Sequence, residues 1–269
     1  MGSSSHRTSP RVHPAVRGFD RAAPTYERGR PGYPEAAVRY LARELGLRPG
    51  RTVVELASGT GKFTRALRPT GATIVAIEPT RGMREEFSRQ LPDLPVLDGV
   101  AEAIPVPDRF ADAVVSAQAF HWFRPRPALR EIARVLVPGG GVGLLWNRRD
   151  ESVEWVHGLT RIVDRYGWKV PRTRQRRWRR LFEEKAVPFT ALRTRSFPFA
   201  QRLTPSSIVE RFLSVSCIAV QAPSTQRKIA EEIREVIRRD PRTRGRASFD
   251  LPYRTDVYVT RLRGRASTR

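Results

Sequence analysis

The sequence predicts an α/β fold: a doubly wound, mostly parallel seven-stranded sheet with a helical cap drawn from the C-terminal half. Three observations predict it. From residue 34 to about residue 147, helix-like and strand-like segments alternate, the pattern of a parallel sheet wrapped by helices. The first strand runs into a glycine-bearing turn, ELASGTGKFT (55–64), of the kind that lets a ligand approach the backbone at a strand end. Past residue 150 the rhythm changes to helices and two further strands, expected to pair with each other at one edge of the sheet while the helices lie over the strand ends.

In chain order, Pro34 takes the first helical position of a segment with Ala37, Val38, Leu41 and Leu45 on one face, and Gly46 stops it. TVVELA (52–57) reads as a buried strand, followed by the turn and a helix through Leu67. TIVAIE (73–78) is the second strand, Arg81 to Gln90 its helix, PVLDGV (95–100) a short third strand and ADAVVSA (111–117) the fourth. Leu129, Ile132, Ala133 and Leu136 mark a helical stripe that Pro138 and Gly139 close before the fifth strand, GVGLLWN (141–147). A helix is expected over Ser152 to Tyr166. LRTRSFPFAQRL (192–203) then reads as a strand interrupted by Pro198 and therefore suited to an edge. Two helices follow, SSIVERFLSV and a segment from Thr225 with Ile229, Ile233, Val236 and Ile237 on one face. The final LPYRTDVYVTRLR (251–263) alternates as a half-exposed strand does.

Composition bounds the partners. No run of about 18 apolar residues is present, so no membrane span is expected. The start, MGSSSHRTSP, lacks the apolar core of a signal peptide, so residues 1–17 are expected to form a flexible tail and the compartment is expected to be cytoplasmic. One cysteine, Cys217, allows no internal disulfide and reads as a small buried hydrophobe; without CxxC or His/Cys clusters no metal site is expected. The formal charge is +23, and it is uneven: residues 1–150 carry 23 basic and 15 acidic side chains, residues 151–269 carry 27 and 12. The densest stretch, KVPRTRQRRWRR (169–180), holds 7 basic residues and Trp178, and two readings stand: phosphate gripping with base stacking, or a solvated basic face.

Three ligand classes compete for the turn. A P-loop needs GxxxxGK followed by Ser or Thr; with Gly61 and Lys62 in register, Leu56 stands at the first glycine and Phe63 at the hydroxyl, so that reading fails. A dinucleotide GxGxxG begun at Gly59 puts Thr64 at the third glycine. A nucleoside without phosphates fits better. Glu55 ends the first strand, Gly59 and Gly61 follow, and Glu78 ends the next strand, where a carboxylate can accept ribose hydroxyls.

This arrangement resembles motif I of the class I S-adenosylmethionine-dependent methyltransferases, D/E-x-G-x-G-x-G, with Ala57 in place of the first glycine. GVAEAIPVPDRFADAVVSAQAFHW and VLVPGGGVGLLWNRRD resemble the regions from strand three to strand five of the methyltransferase-11 type. FDRAAPTYERGRPGYP resembles the lead-in of the trans-aconitate and menaquinone-biosynthesis methyltransferase-like groups, and the C-terminal third is similar to uncharacterised actinobacterial members. The resemblance implies a Rossmann-like fold, residues 18–150 as the S-adenosylmethionine-binding core with an N-terminal lid helix, and residues 151–269 as basic cap helices plus the closing strand pair. It also implies S-adenosylhomocysteine as product and a small metabolite, methylated on oxygen before nitrogen or carbon, as acceptor.

The residue roles follow from the same resemblance. Glu55 would lie near the methionine end of the cofactor, or merely cap the turn; Ala57, Ser58, Gly59 and Gly61 would give backbone contacts and Glu78 would hold the ribose. Met83 would pack on the adenine or in the core, and Ala101 and Glu102 would form the adenine-side turn, with Val100 where relatives carry a polar residue. In the loop after strand four, Gln118, His121 and Trp122 are the catalytic candidates: His121 as a base or a structural hydrogen-bonder, Trp122 as a cation-π partner of the sulfonium or as core. Tyr26, Arg30, Tyr33, Trp146 and Asn147, with Arg149 behind them, are the substrate-lining candidates. Two alternatives remain at this stage: a nucleic-acid methyltransferase using the basic stretch, and a non-catalytic cofactor-binding regulator.

Overall fold

The computed structural model describes residues 19–167, 178–184 and 186–264. Its helices are α1 (Phe19–Gly29), α2 (Glu35–Leu45), α3 (Lys62–Leu67), α4 (Arg81–Gln90), α5 (Pro125–Val135), α6 (Glu154–Gly167), α7 (Pro205–Leu213), α8 (Ser216–Ala219) and α9 (Pro223–Arg239). Its strands are β1 (Thr52–Leu56), β2 (Thr73–Ile77), β3 (Val96–Leu97), β4 (Ala111–Ala117), β5 (Leu136–Arg149), β6 (Arg193–Leu203) and β7 (Phe249–Arg261). They form one seven-stranded sheet in the order β3-β2-β1-β4-β5-β7-β6. β1 to β5 run parallel, and β7 enters antiparallel between β5 and the edge strand β6.

The pleat sorts the strand side chains onto two faces. On one, Val53, Ala113, Val115, Leu145, Val257 and Val259 pack against Ala37, Val38, Leu41 and Leu45 of α2 and Phe63 and Leu67 of α3. On the other, Val54, Val114, Leu144, Trp146 and Tyr258 pack against Ala128, Leu129, Ile132 and Val135 of α5. α2 comes so close to the sheet that a Cβ on Gly143 would stand 2.4 Å from Leu41 Cδ1 and one on Gly141 2.5 Å from Leu45 Cδ2. A third cluster joins α6, α7 and α9 to Leu203, Phe249, Leu251 and Tyr253 at the ends of β6 and β7, and this is the cap over the strand ends.

The sequence-based segments need four corrections. β5 starts at Leu136, directly after α5, and Pro138–Gly139 forms an exposed kink within it instead of a gap before it. The β4 pairing steps there from Ala111–Leu136 to Ala113–Gly141, and Gly139 takes φ +76°. β6 passes through Pro198 without a break, as an edge strand can, since one side of it needs no ladder bonds. β7 is not half-exposed: residues Thr255 to Thr260 are buried on both faces because the strand lies inside the sheet. Trp178, taken in one reading as a base-stacking aromatic, is 4% exposed and stacks on Trp146 with ring centroids 4.8 Å apart. The basic stretch before it, through residue 177, lies outside the described residues, as does the expected tail.

Candidate active site

The site lies where β1 and β4 end. β1 delivers Glu55 and Leu56 into a turn in which Ala57, Gly59 and Gly61 all take positive φ (54°, 58° and 83°), a shape that L-residues other than glycine adopt at a cost. The two glycines serve different ends. A Cβ on Gly61 would meet Leu91 Cδ1 at 2.6 Å and Phe87 at 3.0 Å, so its bareness lets α4 pack on the turn. A Cβ on Gly59 would meet nothing within 4 Å, and Gly59 borders a cavity between the ends of β1 and β4 and the lead-in.

Glu78 fastens this turn. Its Oε2 accepts the Gly59 N–H at 2.9 Å and its Oε1 the Thr80 N–H at 2.9 Å, joining the ends of β1 and β2. Burial pushes its carboxyl upward, and the bonds from Thr80 and Gly59 pull the other way. Glu55 is buried on the α2/α3 face, accepts from Thr64 Oγ1 at 2.7 Å, and is pushed by burial up to about 8. It is the acidic side chain bordering the cavity, and at neutral pH it is largely protonated.

Lead-in residues close the cavity from the other side. Glu27 of α1 accepts from Thr60 Oγ1, Lys62 Nζ and Arg65 Nη2, and these partners outweigh burial to hold its carboxyl below the ordinary glutamate value. Tyr26, Arg30 and Tyr33 border the cavity, and burial pushes the Tyr33 hydroxyl well above its ordinary value, with Gln118 as its hydrogen-bond partner. Asn147 borders it too. Its Nδ2 donates to Gly32 O at 2.8 Å and its Oδ1 accepts from Thr255 Oγ1 at 2.7 Å, which ties the lead-in to β5 and β7. Gln118, at the end of β4, has φ +61°, so two of the three described non-glycine residues with positive φ, Ala57 and Gln118, face this one cavity; such strain gathers at functional sites.

The structure thus brings together Tyr26, Arg30, Tyr33, Glu55, Ala57, Ser58, Gly59, Gln118 and Asn147. It sends others elsewhere. Trp146 neighbours Asn147 along β5 and therefore points to the opposite face, where it is buried against Trp178 and Tyr258. His121 goes with it: the Trp146 indole N–H faces His121 Nδ1 at 3.5 Å, and the His121 ring lies 4.7 Å from that of Trp122 in a 3₁₀ turn beside the α5-side core. Met83 is buried in α4, Ala101 is buried, and Glu102 accepts the Arg124 N–H at the start of α5, so none of these three borders the cavity. Glu27, Lys62 and Arg211 are the site residues that reading the sequence missed. A readable sign existed for Arg211, a charge three residues after Ile208 on the apolar face of α7. Among the described residues no group of His, Cys, Asp and Glu could hold a metal ion, and no helix is long and apolar enough to cross a membrane.

Comparison with known proteins matches this architecture. A family model described as a methyltransferase domain covers residues 54–143. Uncharacterised methyltransferases of Mycobacterium tuberculosis and Mycobacterium bovis are 36% identical over 88% of this chain and 92% of their own length, and one of Schizosaccharomyces pombe is 32% identical over 87% and 91%. Among solved structures, a protein of Anaeromyxobacter dehalogenans provisionally described as a type II methyltransferase aligns with a TM-score of 0.60 at 20% identity, over 87% of this chain and 97% of that one. The [4+2]-cyclase SpnF aligns at 0.55 and 17%, over 96% and 100%, so the fold by itself does not fix the reaction. Identity above three residues in ten across almost the whole chain goes further than shared fold, and the chain belongs to the class I methyltransferase family.

Proposed function

We propose that the protein transfers a methyl group from S-adenosylmethionine to an oxygen of a small acceptor, with residues 18–150 as the donor-binding core and residues 151–269 as the cap helices plus the closing strand pair of the sheet. The observation that carries the reading is the Glu78–Gly59 bond: a buried carboxylate at the tip of β2 fixes a turn whose open glycine borders the cavity. The donor's chemistry fits the residues present. Glu78 accepts the two backbone N–H bonds and one from the Thr80 hydroxyl, which leaves one of its about four lone-pair positions for a ribose hydroxyl. When bound, S-adenosylmethionine supplies a methyl carbon on a cationic sulfur whose leaving form is a neutral thioether.

The chain's own contribution is alignment and exclusion of water, which suffice for an in-line displacement. The Glu27 bonds and the Asn147–Gly32 bond hold the lead-in closed over the cavity, and Gln118 with Tyr33 orders its middle. His121 is less suited to proton abstraction than its place in the sequence suggests. A Trp146 N–H directed at Nδ1 favours the tautomer with the proton on Nε2, a donor. An acceptor oxygen already ionised at neutral pH needs no base.

Calorimetric titration with S-adenosylmethionine and S-adenosylhomocysteine, with NAD and ATP as controls, tests the reading. Binding of the first pair alone is expected, weakened about tenfold or more in Glu78→Ala, since a buried carboxylate's bonds to ligand hydroxyls are lost. Near-normal affinity in that variant would remove Glu78 from the ribose role, and absence of binding to the native chain would overturn the donor assignment.

A further inference from the structure

Two guanidinium groups at the cavity form no ion pair with the described residues. Arg211 is 4% exposed and borders the cavity; its Nε donates to the Tyr253 hydroxyl at 3.0 Å, and its Nη1 is buried without a hydrogen-bond partner among the described residues. Arg30, also on the cavity, donates from Nη2 to Ser214 O at 3.2 Å, and its Nε is likewise buried and unmatched. Neither forms an ion pair among the described residues. Two acids of the site are otherwise engaged: Glu55 is largely protonated at neutral pH and Glu27 belongs to Lys62 and Arg65. Burial, and then Arg211, pull Arg30 down to about 10, as expected of cations lacking a counter-ion. Buried charges persist in proteins when something pairs with them, and a guanidinium fork matches a carboxylate.

The position sets Arg211 apart from the glycine turn. Arg211 is anchored through Tyr253 on β7, opposite Arg149 at the end of β5, and β7 stands three strands from β1. At about 4.8 Å per strand that places its anchor some ~14 Å across the sheet from the glycine turn. Tyr253 shares its strand face with Thr255, the partner of Asn147, so Arg211 enters the same cavity from its β5/β7 side.

We propose that Arg211, supported by Arg30, binds the carboxylate of the methyl acceptor, so that the acceptors of this protein are carboxylic acids. The proposal rests on the methyl-transfer reading for calling the ligand an acceptor. The competing source of the same chemistry is the methionine carboxylate of the donor, and the experiment separates the two.

The protein saturated with S-adenosylhomocysteine is titrated by calorimetry with benzoate and succinate, and with benzamide and succinamide as uncharged counterparts; the set is repeated without S-adenosylhomocysteine. At least one carboxylate is expected to bind while its amide does not. Arg211→Gln should weaken the carboxylate about tenfold or more and Arg211→Lys by less, both with S-adenosylhomocysteine affinity within about threefold of the native value. Equal binding of acid and amide, no binding of either acid, or native carboxylate affinity in Arg211→Gln would each overturn the proposal. So would a loss of S-adenosylhomocysteine affinity matching the arginine's removal, which would give the guanidinium to the donor. If the native protein fails to bind S-adenosylhomocysteine, the methyl-transfer reading falls, while the acid-against-amide comparison without it still decides whether Arg211 receives a carboxylate. Should Arg211→Gln not melt cooperatively, Arg30→Gln, at a guanidinium whose hydrogen bond among the described residues goes to the Ser214 carbonyl, carries the same expectation.

Discussion

Glu55 ends β1 with its carboxyl buried and bonded to Thr64, and burial raises it to about 8 from an ordinary 4.5. A folded value above the unfolded one means the protonated group's contribution is complete below about pH 4.5 and is lost as pH climbs toward 8. Glu55→Gln keeps the shape and removes the titration. Denaturant melts should therefore show the variant gaining on the native protein by roughly 3 to 5 kcal/mol between about pH 5 and about pH 9. Parallel stability profiles would mean that the native carboxyl is not desolvated. Ala57 poses a smaller question. At φ +54° its methyl group costs about 1 kcal/mol, so Ala57→Gly should leave stability unchanged or raise it by up to ~1 kcal/mol, without loss of donor affinity. A fall in either would show that the alanine is selected at this turn.

At the scale of elements, α1 is held to the glycine turn by one carboxylate. Glu27 joins three donors from α3 and its lead, and it lies 12% exposed as a side chain, so the loss of its charge breaks the clasp without emptying the core. Glu27→Gln should quicken amide exchange across residues 19–29 and weaken donor binding about three- to tenfold. Unchanged exchange would show that α1 is held by its apolar contacts alone. This clasp was not legible in the sequence, because Glu27 and Arg65 stand far apart along the chain and no local period links them. The glycine turn was legible, since its spacing is local. Trp146 and Asn147 show the limit between those cases. Both stand at the end of a readable strand, yet alternation allows only one of two neighbours to face the cavity, and which one depends on where α2 and α5 lie. Close approach of α2 is itself testable: Gly143→Val should cost at least about 2 kcal/mol in denaturant melts, because the added Cβ overlaps Leu41.

Across the whole molecule, the order of elements was readable because hydrophobic period changes from two to 3.6 are local, whereas the insertion of β7 between β5 and β6 depends on pairing over long separations. That insertion also explains why an alternating sequence is buried on both sides. The charge is the remaining global feature. Residues 151–269 carry 27 basic side chains against 12 acidic, but the cavity at the glycine turn is lined by the lead-in and by Arg211 of the cap, and Trp178 is packed inside the α5-side core. Binding of a nucleic acid to the basic stretch and methyl transfer in the cavity should accordingly respond to different variables. Nucleic-acid binding by neutralised phosphates weakens steeply with salt, by roughly 10³ between 50 and 200 mM when about six contacts are made. A variant with Arg172, Arg174, Arg176 and Arg177 replaced by glutamine should bind single-stranded DNA less and with a shallower salt slope, while donor affinity and its weak salt dependence stay as in the native chain. If donor affinity or transfer to a small acid fell together with DNA binding, the basic stretch would belong to the acceptor site, and the two activities would not be separate.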